Sequence, residues 1–334
     1  MSRHAAGPAF VPSYVVTDTV EPSASDWQGR FRSMASDVKV RISPGCAEPE
    51  AAFDRVEAIF AAVEFECTRF DPSSDLMRAN AAADEWQQVG EYCFAAITAA
   101  ALAHINTDGL FDPRILRTLC ELGYDRSIAF GTESRDLPGR IGDHRPMPAF
   151  WAPGLDSATH SVRIGPEPID LGGIGKGLAV RWAAEELESI CPSFIIDAGG
   201  DCYLSGGGPA GYGWNVGVED PRGGADPLAV LTVRNRACAT SSIRLRKWTV
   251  DGRPVHHLVD PRTAAPGGAG LLAVTVVGRD PADAEVWSKV LFLRGVSEIG
   301  RAAEDHGLAA VWVTDDGQVK MSTPADEYVI WQAP

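Results

Sequence analysis

The sequence predicts an α+β fold, with antiparallel or mixed sheets flanked by helices, on three observations. Short strand-like runs at 194–196, 214–218, 228–233, 273–277 and 309–314 mostly neighbour one another along the chain. A few long segments of helical periodicity flank those runs. Finally, 334 residues at 45% hydrophobic and 22% charged can bury a large core, and no low-complexity block interrupts them.

Residues 1–30 lack any period and contain Pro12, Pro22 and several serines, the pattern of a flexible arm. A single domain is expected over 31–334. Asp37 to Ile42 alternates as a half-buried strand should, and Phe53, Val56, Phe60, Val63 and Cys67 then recur at helical spacing after Pro49. The run 95–105 is apolar enough for a buried helix. Residues 126–168, rich in Pro, Gly and Asp, read as irregular loop with a short hairpin around His160 and Val162. Ile169 and Leu171 read as the end of a buried strand. Leu178, Trp182, Ala183, Leu187, Ile190 and Cys191 define the buried face of the following helix, and Asp316-Gly317 marks a hairpin turn near the C-terminus.

The formal net charge is −15, with acidic residues spread along the chain, which argues against a nucleic-acid or anionic-membrane surface. An anionic ligand must then be held by local groups. No apolar run approaches a membrane span, and the first 30 residues hold no apolar core of signal-peptide length, so a cytoplasmic location is expected. Seven cysteines, scattered and without CxxC pairs, predict neither a disulfide framework nor a zinc site. Packing is the expected role of Cys67, Cys120 and Cys191.

The segment IDLGGIGKGLAVRWAAEEL, 169–187, carries the most chemistry. Gly172, Gly173 and Gly175 allow a tight turn and a close approach to a ligand, the next helix presents N–H groups suited to phosphate oxygens, and Lys176 adds a charge. The pattern is neither a P-loop nor a GxGxxG fingerprint, so it points only to an anionic ligand. The alternative is a glycine-rich connection with a solvated lysine.

Further segments, in order, are SMASDVKVRI (33–42), RFDPSSDLMRAN (69–80), DGLFDP (108–113), ATSSIR (239–244), HHLVDPRT (256–263) and ADAEVWSKVLFLRG (282–295). Together with the glycine loop they resemble the ApbE family of FAD:protein FMN transferases from about Phe31 to the C-terminus. The resemblance implies an ApbE-like fold, FAD as substrate, and an acceptor protein whose Thr or Ser receives FMN through a phosphoester as AMP leaves. An FAD pyrophosphatase releasing FMN and AMP, or a non-catalytic flavin-binding protein, are the alternatives. Many family members are exported lipoproteins, and no lipobox cysteine stands near the start here.

The same resemblance implies site residues. Asp170 and Lys176 match positions facing the dinucleotide, and Gly173 one whose carbonyl binds Mg2+. Met34 matches the N-terminal signature methionine, with a core methionine as the plain alternative. Phe70, Ser73 and Asn80 fall in a segment like YxxxSxLSxxN that helps hold the flavin, or else are an aromatic core residue and a helix-end asparagine. Leu110, Phe111 and Asp112 match GAFD, although Asp112 could equally cap a helix at Pro113. Ser241 and Leu258 are likewise assigned to the cofactor. His257, with Asp260 to orient it or simply to cap a turn, is expected to be the general base and Lys176 a catalytic charge, while His256 faces away.

At the metal the sequence departs from the family, whose magnesium ligands are Asp and, four residues later, Thr. Here those positions are Glu285 and Lys289. An ammonium cannot ligate a cation. Either the two are an ordinary exposed helix pair, or Lys289 places a fixed charge at the usual metal position and replaces Mg2+ in part. Arg181 and Asp201 also depart from the family pattern.

Overall fold

The computed structural model describes residues 26–333, apart from 83, 129–134, 142–146 and 148–149. An eight-stranded sheet runs through the centre in the order 27–33, 36–42, 194–198, 201–205, 236–242, 271–278, 309–314 and 319–321. Every pairing in it is antiparallel, which decides between the two sheet types expected. Pairing begins at Trp27, four residues before the expected start of the domain. The rest of the expected arm, 1–25, lies outside the described residues.

Alternation along the strands builds three layers. Phe194, Ile196, Ala310 and Trp312 face one core with α1 (Pro49–Cys67), α5 (Gly175–Glu188) and α6 (Pro281–Asp305). Ile195, Val311 and Val313 point the other way, onto a small sheet of 214–218, 229–233 and 329–332. The period of two thus feeds both faces from the same strands. Between α1 and α5 in the chain come α2 (Asp75–Ala81), α3 (Glu91–Asn106) and α4 (Leu116–Glu121). A hairpin, 247–250 with 253–256, carries Trp248, Val250 and Val255 into a satellite core with Leu119, Leu122 and Tyr124. That hairpin delivers His257 to the pocket wall.

Three expectations change. Ile169 and Leu171 are buried but form no strand. The amide of Asn80 clamps Ile169 instead, accepting from its N–H at 2.8 Å and donating to its C=O at 2.9 Å, two bonds that stand in for a ladder. Cys191 is bridged to Cys46 across 145 residues of sequence, a separation that leaves no spacing signal. Cys120 is exposed, because the short α4 buries Leu116 and Leu119 instead, whereas Cys67 is packed as expected.

Helix α6 runs past the 282–295 segment, continuing through a break at Gly295 (φ 69°) to Asp305. Its start crosses the start of α5 closely. A Cβ on Gly177 would lie 2.6 Å from the Pro281 carbonyl, so only glycine permits this approach. The crossing brings Lys176 to Glu285.

Candidate active site

The pocket, about 280 Å³, lies where the C-terminal end of α1, the 110–113 turn, the glycine loop, the segment 257–259 and α6 meet. None of the three loop glycines has a left-handed backbone. They make room instead: a Cβ on Gly173 would lie 3.0 Å from the Phe111 ring and 3.6 Å from the Lys289 stem, and one on Gly175 3.2 Å from Met34. The helix start is not a free phosphate cradle as expected. Gly175 N–H donates to Leu171 O at 2.8 Å and Gly177 N–H to Glu285 Oε2 at 2.7 Å.

Glu285 is fully buried and is the hub of the charged cluster. It receives Lys176 Nζ at 3.2 Å and Lys289 Nζ at 3.0 Å, so this pair is not a solvated helix face. Asp201 also contacts Lys176. Burial raises the Glu285 carboxyl, but the two ammonium groups outweigh it and hold the group well below its ordinary range. Burial pulls Lys176 down to about 8, against the pull of Glu285. Two lysines face two carboxylates here, and Arg246 in the pocket wall has no carboxylate partner among the described residues. Sequence reasoning missed Arg246, which carries no periodic signal.

His257 lines the pocket and His256 does not; His256 packs edge-on against Phe292 at 6.0 Å between ring centres. The Nδ1 of His257 lies 3.2 Å from the Arg246 carbonyl, which can only accept, so the proton of the neutral ring sits on Nδ1 and Nε2 keeps its lone pair. Burial first, then Arg246 and His256, lower the His257 pKa well below 6.5, while burial lowers His256 to about 4. Both rings are therefore neutral in the folded protein at pH 6.5, and the unfolded chain takes up protons first as pH falls. The free protein should lose stability from about pH 6.5 down towards 4, and His256→Gln should flatten part of that slope in melting temperatures measured across the range.

Of the residues singled out in the sequence, Met34, Phe70, Leu110, Phe111, Asp112, Asp170, Gly173, Lys176, His257, Leu258 and Lys289 line the pocket. Five predicted residues do not. Ser73 is exposed and bonds Asp71, and Asn80 is spent on Ile169. Ser241 bonds Ser288 Oγ at 2.8 Å, tying the sheet to α6 beside Glu285. Asp260 is held by Arg262 at 2.7 Å in its own turn, so the Arg246 carbonyl, not Asp260, orients His257. Glu285 stands behind the lysines. Asp112, though in the wall, caps the turn at Pro113 and is paired with Arg114 at 2.6 Å.

The donor set implied for Mg2+ does not fit a divalent cation. Glu285 already carries two ammonium groups and an amide, and at the second side-chain position Lys289 offers an ammonium in place of an oxygen.

Aromatic walls joined to a cluster of lysine, arginine and histidine, on an antiparallel α+β frame, make a pocket suited to an anionic ligand bearing a flat ring. A model of the ApbE family matches residues 34–312, and the chain belongs to that family. It is 29% identical over 285 residues to an FAD:protein FMN transferase of Klebsiella pneumoniae, covering 82% of this chain and 86% of the relative. A second, from Treponema pallidum, is 25% identical with coverage of 85% and 83%. The fold matches the crystal structure of the ApbE protein of Thermotoga maritima with a TM-score of 0.80 at 24% identity, over 90% of this chain and 98% of the other. The apo flavinyl transferase ApbE of Pseudomonas stutzeri gives 0.74 at 19%, over 94% and 100%.

Proposed function

We infer that this chain is an FAD:protein FMN transferase, joining FMN to a Thr or Ser hydroxyl of an acceptor protein and releasing AMP. The observation that carries it is His257, neutral with a free Nε2, beside Arg246, Lys176 and Lys289 in one pocket of an ApbE-family chain. The cations hold the pyrophosphate. The acceptor hydroxyl attacks the phosphorus of the FMN half, its proton passes to Nε2, and AMP departs with the bridging oxygen. Burial is the main cause of the lowered His257 pKa, and bound phosphates would offset the smaller part that comes from the Arg246 and Lys289 charges.

Charge at the pyrophosphate comes from the chain itself on this reading. By the resemblance Lys289 stands where the family has a metal ligand, and Arg246 in the same pocket adds a cation with no carboxylate partner among the described residues. The chain from Trp27 onward is taken as one unit, since the strand that begins there pairs into the central sheet. No helix among the described residues is long and apolar enough to cross a membrane. A cytoplasmic location stays part of the proposal, although the Cys46–Cys191 bridge weighs against a reducing compartment.

Incubating the protein with FAD, with and without Mg2+ and a candidate acceptor, and reading AMP and acceptor-bound flavin by mass spectrometry tests the proposal. AMP with free FMN in place of acceptor-bound flavin would make it a pyrophosphatase, and intact FAD a binding protein. FAD should also bind far more tightly than FMN, since adenine and the second phosphate add contacts. Equal affinities by calorimetry would refute the pocket assignment.

A further inference from the structure

Arg69, just past the end of α1, is a buried pocket-wall donor that the transfer step does not use. Its side chain is only 6% exposed. Two of its three nitrogens are fixed: Nε lies 2.8 Å from Asp170 Oδ2, and Nη1 donates to the Tyr124 carbonyl at 2.7 Å. The rings of Phe70 and Tyr124 each lie 4.3 Å from its Cζ. Among the described residues Nη2 has no hydrogen-bond partner. A buried N–H without an acceptor is disfavoured, and a guanidinium pinned at two nitrogens and against two rings cannot turn to find one. Arg69 lines the pocket, so an acceptor on a bound ligand can complete it.

We propose that Arg69 determines specificity by donating from Nη2 to a neutral acceptor, a ring carbonyl or ring nitrogen, on the edge of the flat heterocycle bound in this pocket. The proposal rests on the transferase reading, which offers two such rings, the flavin and the adenine. A phosphate is the poorer partner, because Asp170 already balances the Arg69 charge while Arg246, Lys176 and Lys289 supply cations to the pocket. Phe70, Tyr124, Ile115 and Leu119 surround this part of the wall with apolar surface suited to a ring. Asp170, matched to a ligand contact by resemblance, thereby acts on Arg69 and holds its plane.

Full-length Arg69→Met and Arg69→Lys are titrated with FAD, FMN, ADP and inorganic pyrophosphate. FAD affinity should fall about tenfold or more in both. The same factor should appear for FMN if Arg69 reads the flavin, or for ADP if it reads the adenine, with pyrophosphate unchanged. In turnover, KM for FAD should rise while kcat holds. Equal weakening of pyrophosphate, or unchanged FAD affinity, overturns the proposal. Arg69→Met leaves Asp170 without its partner and can fail to fold, so Arg69→Lys, which keeps the opposite charge, then decides alone. The parent protein separates the two layers: no FAD binding by the parent refutes the transferase reading and this assignment together, while binding by the parent and equally by the variants refutes Arg69 only.

Discussion

His257→Ala should lower FMN transfer by roughly 10²–10⁴-fold, the range expected for losing a general base, while FAD affinity stays within about twofold. The asymmetry follows from when the residue acts. Its Nε2 takes a proton only as the acceptor hydroxyl attacks, so the ground state loses little. His256→Ala should change the rate far less, because that ring packs on Phe292 outside the pocket. Single-turnover rates with saturating FAD, set beside calorimetric affinities, check both. Equal losses in the two variants would place the base elsewhere.

Lys289→Thr should carry the second large effect. Without added metal the variant loses a cation from the pocket wall and FAD affinity falls, roughly tenfold or more for a charge-assisted contact. Adding Mg2+ should restore it, since threonine returns an oxygen beside Gly173 and Glu285 loses one of its two ammonium partners. Adding Glu285→Gln to this variant should then abolish the rescue. Glu285→Ala is a poor probe in the parent, because Glu285 there is the buried counter-charge of both lysines, and its removal costs about 3–5 kcal/mol. Magnesium titrations of FAD affinity in parent and variant decide the matter: identical, metal-independent curves would make Lys289 a packing residue.

Both expectations began with residue types and needed the structure to become specific. The glycine loop and HHLVDPRT pointed to an anionic ligand and a base, and the structure puts Lys176 and His257 in one wall. For Asn80 and Asp260 the sequence leaves two readings open, because a polar side chain near a motif gives no sign of whether it faces a ligand or a neighbouring group of the protein. Asn80 is spent on Ile169, 89 residues away in sequence, and Asp260 on Arg262.

The sequence by itself determined the α+β class, most of the strands, the helix after the glycine loop and the family resemblance, because periodicity and ordered motifs are local properties of the chain. Only the tertiary structure decided how the charges pair. Lys176 and Glu285 stand 109 residues apart and meet because Gly177 lets α5 and α6 cross, and Arg69 finds Asp170 about a hundred residues on. Burial then sets their chemistry, depressing His257 and committing Glu285 to two lysines, and burial is a property of the packed molecule rather than of any segment.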